Sequence, residues 1–345
     1  MKRQRDHAEF GALIALFAGA LSTGSAGILV RLSETGPTAT AFWRGCLALP
    51  LLAAWALLES APRDSGLEQR RPFGSVARLV SSGRRTAFRD PGFLLAGAFF
   101  AGDLALWHWS LLLTSIAAST LEASLAPLVV ILIAWLRWRE RPSTAFMGAT
   151  ALALVGMLLI VSPKFGHGGS AFLGDALGLG TACFFAAYIL AVARLRARYG
   201  TGTVMFNSTV VFTVLLLPLA LTQKFLPDTL WGWATVAGCA LAAQVLGQGL
   251  IAYALAHLRP TFSSLGLLVQ TLGAATSAWL VLGERLSAVQ IVGALVIVGG
   301  IALARSARKG GAAAAIAPTT VSAAAPTAMA EPAAAATNSL GVVRD

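Results

Sequence analysis

Four ionisable side chains stand out inside the long apolar stretches of this 345-residue chain: Arg44, Asp103, His108 and Glu122. An ionisable group at membrane depth costs about 2.5–3.5 kcal/mol, so each needs a partner or a wet cavity. Asp103 stands about ten residues from either end of its apolar run, a depth that suits a carrier of a proton or cation, or a contact for a substrate amine. The plainer reading is a packing hydrogen bond from an acid kept protonated by desolvation. Arg44 and Glu122 each fall about six residues from the outer ends of their runs, about 9 Å deep at 1.5 Å per residue. Equal depth and opposite sign predict a pair, which either braces the bundle or opens to grip a zwitterion. That leaves His108 as the basic neighbour of Asp103, yet five residues are about 140° of helix, so the two do not share a face. An imidazole satisfied by a neighbouring helix is the plainer reading of His108.

Neutral groups extend the set. Gln244 and Gln248 share a face at i,i+4. Asn207 occupies the place in the second half of the chain that Arg44 holds in the first, and Gln270, Tyr188 and Tyr253 are further polar groups in apolar runs. Trp107 and Trp109 point to opposite sides of one helix, so at most one faces a solute. The substrate- or ion-binding candidates are therefore Arg44, Asp103, Trp107, His108, Glu122, Asn207, Gln244, Gln248 and Gln270. Trp43, Trp138, Trp231 and Trp233 lie near run ends and read as interfacial anchors. Gly174 and Gly178 allow close helix packing, with Asp175 beside them as a cap.

The elements that must position these residues follow from composition. Hydrophobic residues make up 57% of the chain and charged residues 12%, against about a quarter charged in a soluble domain. No globular surface is covered with so few charges, which excludes a conventional soluble enzyme. Cys46, Cys183 and Cys239 sit alone in apolar stretches, which excludes a disulfide scaffold and metal-ligand spacing. The net charge of +11 invites nucleic acid, but the basic residues flank apolar runs and form no continuous face. No cofactor is implied.

Apolar runs fall at 10–30, 38–58, 92–113, 116–136, 144–161, 171–192, 203–222, 230–255, 262–282 and 287–304. Their length of about 20 residues without period-2 alternation predicts helices and not barrel strands. Lys2, Arg3 and Arg5 ahead of the first run resemble a secretory signal; its extension to Val30 and its counterpart later in the chain favour a retained helix. With the N-terminus inside, the inner segments hold 21 Lys and Arg and the outer loops 4, which places both termini in the cytoplasm. Segment 59–91 carries Phe73, Val76, Leu79 and Val80 at helical spacing among arginines, and reads equally as a basic helix on the inner leaflet or a solvated loop. Residues 305–345 are Ala/Pro-rich and read as a disordered tail.

A shift of 144 residues lays Ala134-Trp135-Leu136 on Ala278-Trp279-Leu280, Glu140-Arg141 on Glu284-Arg285, Ser143 on Ser287 and Gly156 on Gly300. A shift of 163 lays Arg31-Leu32 on Arg194-Leu195 and Thr40 on Thr203. The expected architecture is all-α and integral to the membrane: ten transmembrane helices as two five-helix repeats, 10–161 and 171–304, after a cytoplasmic segment 1–9. Five is odd, so the second repeat enters the membrane inverted, a construction typical of secondary transporters.

The chain resembles the drug/metabolite transporter superfamily, specifically its ten-helix EamA type. The residues that carry the likeness are Ala118–Pro127 with its Ala-Pro ending, the loop Leu282-Gly283-Glu284-Arg285-Leu286-Ser287, and the run Gly102–Trp109. The resemblance implies movement of small metabolites, often amino acids or related solutes outward, through a cavity between the repeats. Two positions depart from the family pattern: Arg139 stands where a glycine is usual before the loop glutamate, and Glu122 where an apolar residue is usual. Ser287 followed by Gln290 fits a capping box for the last helix.

The expected function is a secondary carrier exporting a small amphipathic metabolite across the inner membrane by alternating access, proton-linked or facilitative. Its partners are a small-molecule substrate and the bilayer, with protons and a homodimer as further partners considered. A non-transporting scaffold or receptor recruiting through 59–91 is the alternative. An intramembrane enzyme built on Asp103, Glu122 and His108 lacks a His-Glu-x-x-His or Gly-x-Ser-x-Gly motif, and ATP drive lacks a phosphate loop.

Overall fold

The computed structural model describes residues 2–60, 90–113, 122–139, 142–161, 172–283 and 287–316. Regular structure among them is helical: α1 (Lys2–Gly24), α2 (Ala26–Leu32), α3 (Pro37–Ser60), α4 (Pro91–Leu113), α5 (Ala126–Trp138), α6 (Thr144–Val161), α7 (Phe172–Arg196), α8 (Thr201–Ala220), α9 (Leu230–Cys239), a π segment (Ala240–Gln248), α10 (Gly249–Leu255), α11 (Pro260–Gly266), α12 (Val269–Leu282) and α13 (Ala288–Ile316). The readings placed on 61–89 and on the tail beyond 316 lie outside the described residues. The last helix runs on to Ile316, past its expected end at 304.

Among the described residues, seven stretches are long and apolar enough to cross a membrane: His7–Leu32, Pro37–Glu59, Phe172–Arg196, Thr201–Ala220, Leu230–Leu255, Pro260–Val281 and Ala288–Ala307. Ala126–Arg137 and Thr144–Ile160 are shorter apolar helices, and α4 adds 23 residues. The molecule is a multi-pass membrane protein, and the side chains that face outward, such as Val155, Leu158, Leu295 and Val298, are apolar, as hydrocarbon requires.

Helix ends follow local chemistry. Pro37, Pro91 and Pro260 open α3, α4 and α11, the one helical position where a missing N–H costs nothing. The Ser287–Gln290 capping box is present: the Gln290 Oε1 accepts the Ser287 N–H at 2.9 Å, and the Ser287 Oγ accepts the Gln290 N–H at 3.2 Å. Arg139 ends α5 at φ 57° and Gly283 ends α12 at φ 67°, so both helices stop on a left-handed residue. The glycine usual at the first of these positions meets a backbone demand that Arg139 meets under strain.

Several spans are interrupted. Ser25 separates α1 from α2, Leu267–Leu268 separate α11 from α12, and a turn at Ser124–Leu125 precedes α5. The π segment sits in the middle of the span Leu230–Leu255.

Packing joins early helices to late ones. α3 lies on α8, α6 on α13, α4 on α7 and α8, α1 on α12 and on the π segment, and α5 on α7 and α11. Each of these contacts links a helix before residue 162 to one after residue 171. Small residues allow the closest approach. A Cβ on Gly156 would lie 2.7 Å from the Gly293 carbonyl oxygen, and one on Gly300 2.9 Å from that of Ala149. The shift of 144 residues exchanges these two contacts.

Candidate functional site

Arg44 projects from the first half of α3 and is only 6% exposed. Its Nε donates to the Gln244 Oε1 at 3.1 Å, and the Gln244 Nε2 donates to the Thr209 Oγ1 at 3.0 Å. This chain of hydrogen bonds runs from α3 through the π segment to α8, and so ties the early half of the protein to the late half. π-helical turns open a helix's hydrogen-bond ladder and recur at functional sites; here one carries the glutamine that meets the arginine. The guanidinium lies 5.4 Å from the centre of the Phe100 ring, a cation–π distance. Phe100 stacks in turn on Tyr188, with centroids 4.5 Å apart. Asp103, His108 and Tyr188 all lie within electrostatic reach of Arg44.

Arg44 is therefore bonded to Gln244 within electrostatic reach of Asp103, and it is not paired with Glu122 as equal depth had predicted. Glu122 precedes the turn before α5 and packs against α7, where its carboxylate fills the space over Gly178 and interacts with Asp175. Depth along the membrane normal says nothing about which side of a helix a residue faces, and α5 packs on α7 while α3 packs on α8. Gly178 does allow close packing, but of the Glu122 side chain. Asp175 lies in the first turn of α7, where an acid suits the helix dipole, and it also interacts with Glu122.

The other candidates are dispersed. Asn207 is buried and its Nδ2 donates to the Thr203 carbonyl on its own helix at 2.8 Å. Gln248 is buried with its Oε1 unpartnered, and His108 is buried with its Nδ1 unpartnered, among the described residues. Gln270 follows the break between α11 and α12, and its carbonyl oxygen lies over Gly24, where a Cβ would meet it at 2.2 Å. Trp107 is half-buried with its ring 5.2 Å from the His108 imidazole, whereas Trp109 is half exposed. Trp43 and Trp233, expected as interfacial anchors, pack on one another at 5.0 Å, and the Trp43 Nε1 donates to the Phe225 carbonyl at 2.8 Å. Trp231 remains 65% exposed.

Sequence reasoning passed over the polar residues that fasten the two ends of the bundle. At the end where α3 begins, the Glu34 carboxylate accepts the N–H groups of Asp228 and Thr229 at 2.8 and 3.0 Å and also the Thr229 hydroxyl. The Thr229 hydroxyl bond, ahead of the backbone bonds, holds the Glu34 carboxyl below its usual pKa. Beside it, the Gln223 Oε1 accepts the Thr38 N–H at 3.0 Å. At the opposite end, the Glu59 carboxylate accepts the N–H groups of Thr201 and Gly202, both at 2.7 Å. Asp90 accepts the Gly92 N–H at 2.9 Å and the Tyr199 hydroxyl at 3.2 Å. A signal was available: α8 opens on Gly200-Thr201-Gly202-Thr203 with no side-chain cap of its own, and a carboxylate ends the neighbouring span.

The profile of the EamA-like transporter family matches residues 10–162 and again residues 172–306. The chain belongs to the EamA-like transporter family. Among curated relatives, the pseudopaline exporter CntI of Pseudomonas aeruginosa strain UCBPP-PA14 is 27% identical over 217 residues, 63% of this chain and 75% of that protein. The same exporter from a PAO1-type strain of P. aeruginosa gives the same identity and coverage. A solved crystal structure at 17% identity covers 88% of this chain and 99% of its own, with a TM-score of 0.66; that likeness is one of fold. The EamA-like chain is thus a membrane transporter in which Arg44, Gln244 and Thr209 form a buried hydrogen-bonded chain between an early helix and two late ones.

Proposed function

We propose that this transporter exports a small amphipathic metabolite, an amino acid or related solute, by alternating access between two oppositely inserted five-helix units, 10–161 and 171–304. The observation that carries the reading is the hydrogen-bonded chain Arg44–Gln244–Thr209, which crosses from one unit to the other beside the buried Asp103. A charge held at that junction is where a carrier with two such units binds its cargo. The helix pairs support the arrangement: exchanging the first five spans with the second five maps α3–α8 and α6–α13 onto themselves, α4–α7 onto α1 with the π segment and α5–α7 onto α1–α12, and it exchanges the contacts Gly156–Gly293 and Gly300–Ala149. The breaks at Ser124–Leu125 and Leu267–Leu268 fall at nearly corresponding positions of the two units, as interrupted helices do in such carriers. The related exporter of pseudopaline supports the outward direction.

In this reading ten helices span the inner membrane with both chain ends in the cytoplasm, Glu59 and Asp90 fasten the cytoplasmic end, and Glu34 and Gln223 fasten the outer end. Opening one set while the other holds exposes the Arg44 region to one side at a time. Asp103 carries the proton where transport is proton-linked. The reading is non-enzymatic and requires no cofactor.

The test is reconstitution of the full chain in proteoliposomes loaded with a broad panel of radiolabelled amino acids and related metabolites. Gradient-dependent efflux and counterflow of at least one solute is expected. Inertness across the whole panel, with the protein shown to be inserted and folded, sinks the reading.

A further inference from the structure

The strongest unexplained feature of the interior is an unmet donor on a buried cation. Arg44 spends its Nε on Gln244, but one terminal guanidinium nitrogen, Nη2, is buried and has no hydrogen-bond partner among the described residues. Asp103 acts on this charge electrostatically without supplying a hydrogen bond to that nitrogen. On α8, Thr213 lies one turn beyond Thr209 and over Gly45, the neighbour of Arg44, with its Oγ1 also buried and unpartnered. The large majority of buried polar side-chain atoms are hydrogen-bonded, and a buried charged donor that is not so satisfied calls for a specific explanation, such as a ligand, an ion or water. The acceptor such a fork prefers is a planar carboxylate.

We propose that Arg44 binds a carboxylate of the transported solute through its free Nη2. Gln244 and Thr209 are positioning residues: the glutamine oxygen occupies Nε and fixes the plane of the guanidinium, and Thr209 fixes the glutamine. Phe100 covers one side of the guanidinium and, stacked on Tyr188, offers an aromatic wall for the apolar part of the solute. This inference rests on the carrier reading, but its test is a binding measurement that needs no transport.

The experiment is thermal unfolding of the purified full chain with paired probes: L-phenylalanine, L-glutamate and phenylacetate, each beside the amide that replaces its carboxylate (for L-glutamate, the α-amide). The expected result is a concentration-dependent rise in Tm for at least one acid, with its amide at least tenfold weaker. Arg44→Gln should abolish the difference, and Arg44→Lys should retain part of it. Since Arg44→Gln could lose the fold, Gln244→Glu is the second variant. It sets a carboxylate of nearly the same shape against the guanidinium, and should raise the ligand-free Tm while abolishing stabilisation by the acids. Acids and amides that stabilise equally, acids that stabilise Gln244→Glu as well as the parent, or a panel without any stabilising acid would each overturn the proposal. Efflux of neutral solutes without any binding of acids would leave the carrier reading standing and remove this one alone.

Discussion

The Glu59 carboxylate caps the first turn of α8 by accepting the Thr201 N–H at 2.7 Å. Thr38, which the shift of 163 residues lays on Thr201, is held in the same manner at the opposite end by the Gln223 Oε1 at 3.0 Å. The antiparallel helices α3 and α8 therefore cap one another, with an anion at one end and a neutral amide at the other. An anionic cap on a helix N-terminus is the stronger of the two because it meets both the free N–H groups and the helix dipole. Glu59→Ala is expected to cost about 1 kcal/mol of stability and to loosen the Glu59 end. A cysteine placed at Ala56, which is buried and sits under Gly202, should then react faster with a thiol reagent applied from that side, in a background lacking Cys46, Cys183 and Cys239. An unchanged labelling rate would show that Glu59 holds no gate.

At the other end, Glu34 contributes a pH dependence whose sign is set by its lowered pKa. Its stabilisation is complete above the ordinary carboxylate value of about 4.3 and is lost as pH falls through the lower folded value. Glu34→Gln should therefore reduce Tm at neutral pH and flatten the acid limb of a Tm-against-pH curve. Parallel curves for parent and variant would exclude this contribution.

Asp103→Asn should insert and fold, yet transport by the variant should lose its dependence on pH. The measurement is efflux from proteoliposomes at imposed internal and external pH. If the profile stays the same, Asp103 is not the proton carrier.

Arg139 holds a left-handed backbone at φ 57° with its side chain exposed, so glycine would relieve strain there without removing packing. Arg139→Gly is expected to raise stability by about 1 kcal/mol. The mirror substitution Gly283→Ala should lower it by a similar amount, since a Cβ there has open space around it but an unfavourable φ. Thermal unfolding of the two variants checks both, and opposite shifts are the required result.

The local grammar of this protein was legible in the chain. Apolar runs of spanning length, the prolines that open helices and the Ser287–Gln290 box depend on neighbours a few residues away, so the sequence by itself determined them. The matches between stretches 144 residues apart marked Gly156 and Gly300 as equivalent positions, but their contacts with Gly293 and Ala149 came only with the packed structure. What remained hidden was azimuth. Arg44 and Glu122 sit at equal depth, but α3 turns its arginine toward the π segment while the approach to α5 lays its glutamate on Gly178. Rotation about each helix axis is set by the summed packing of every neighbour, and by a π turn whose shifted hydrogen bonds leave no mark in the spacing of Gln244 and Gln248. Only the tertiary structure could decide that Arg44 would end with one nitrogen held by Gln244 and another left open.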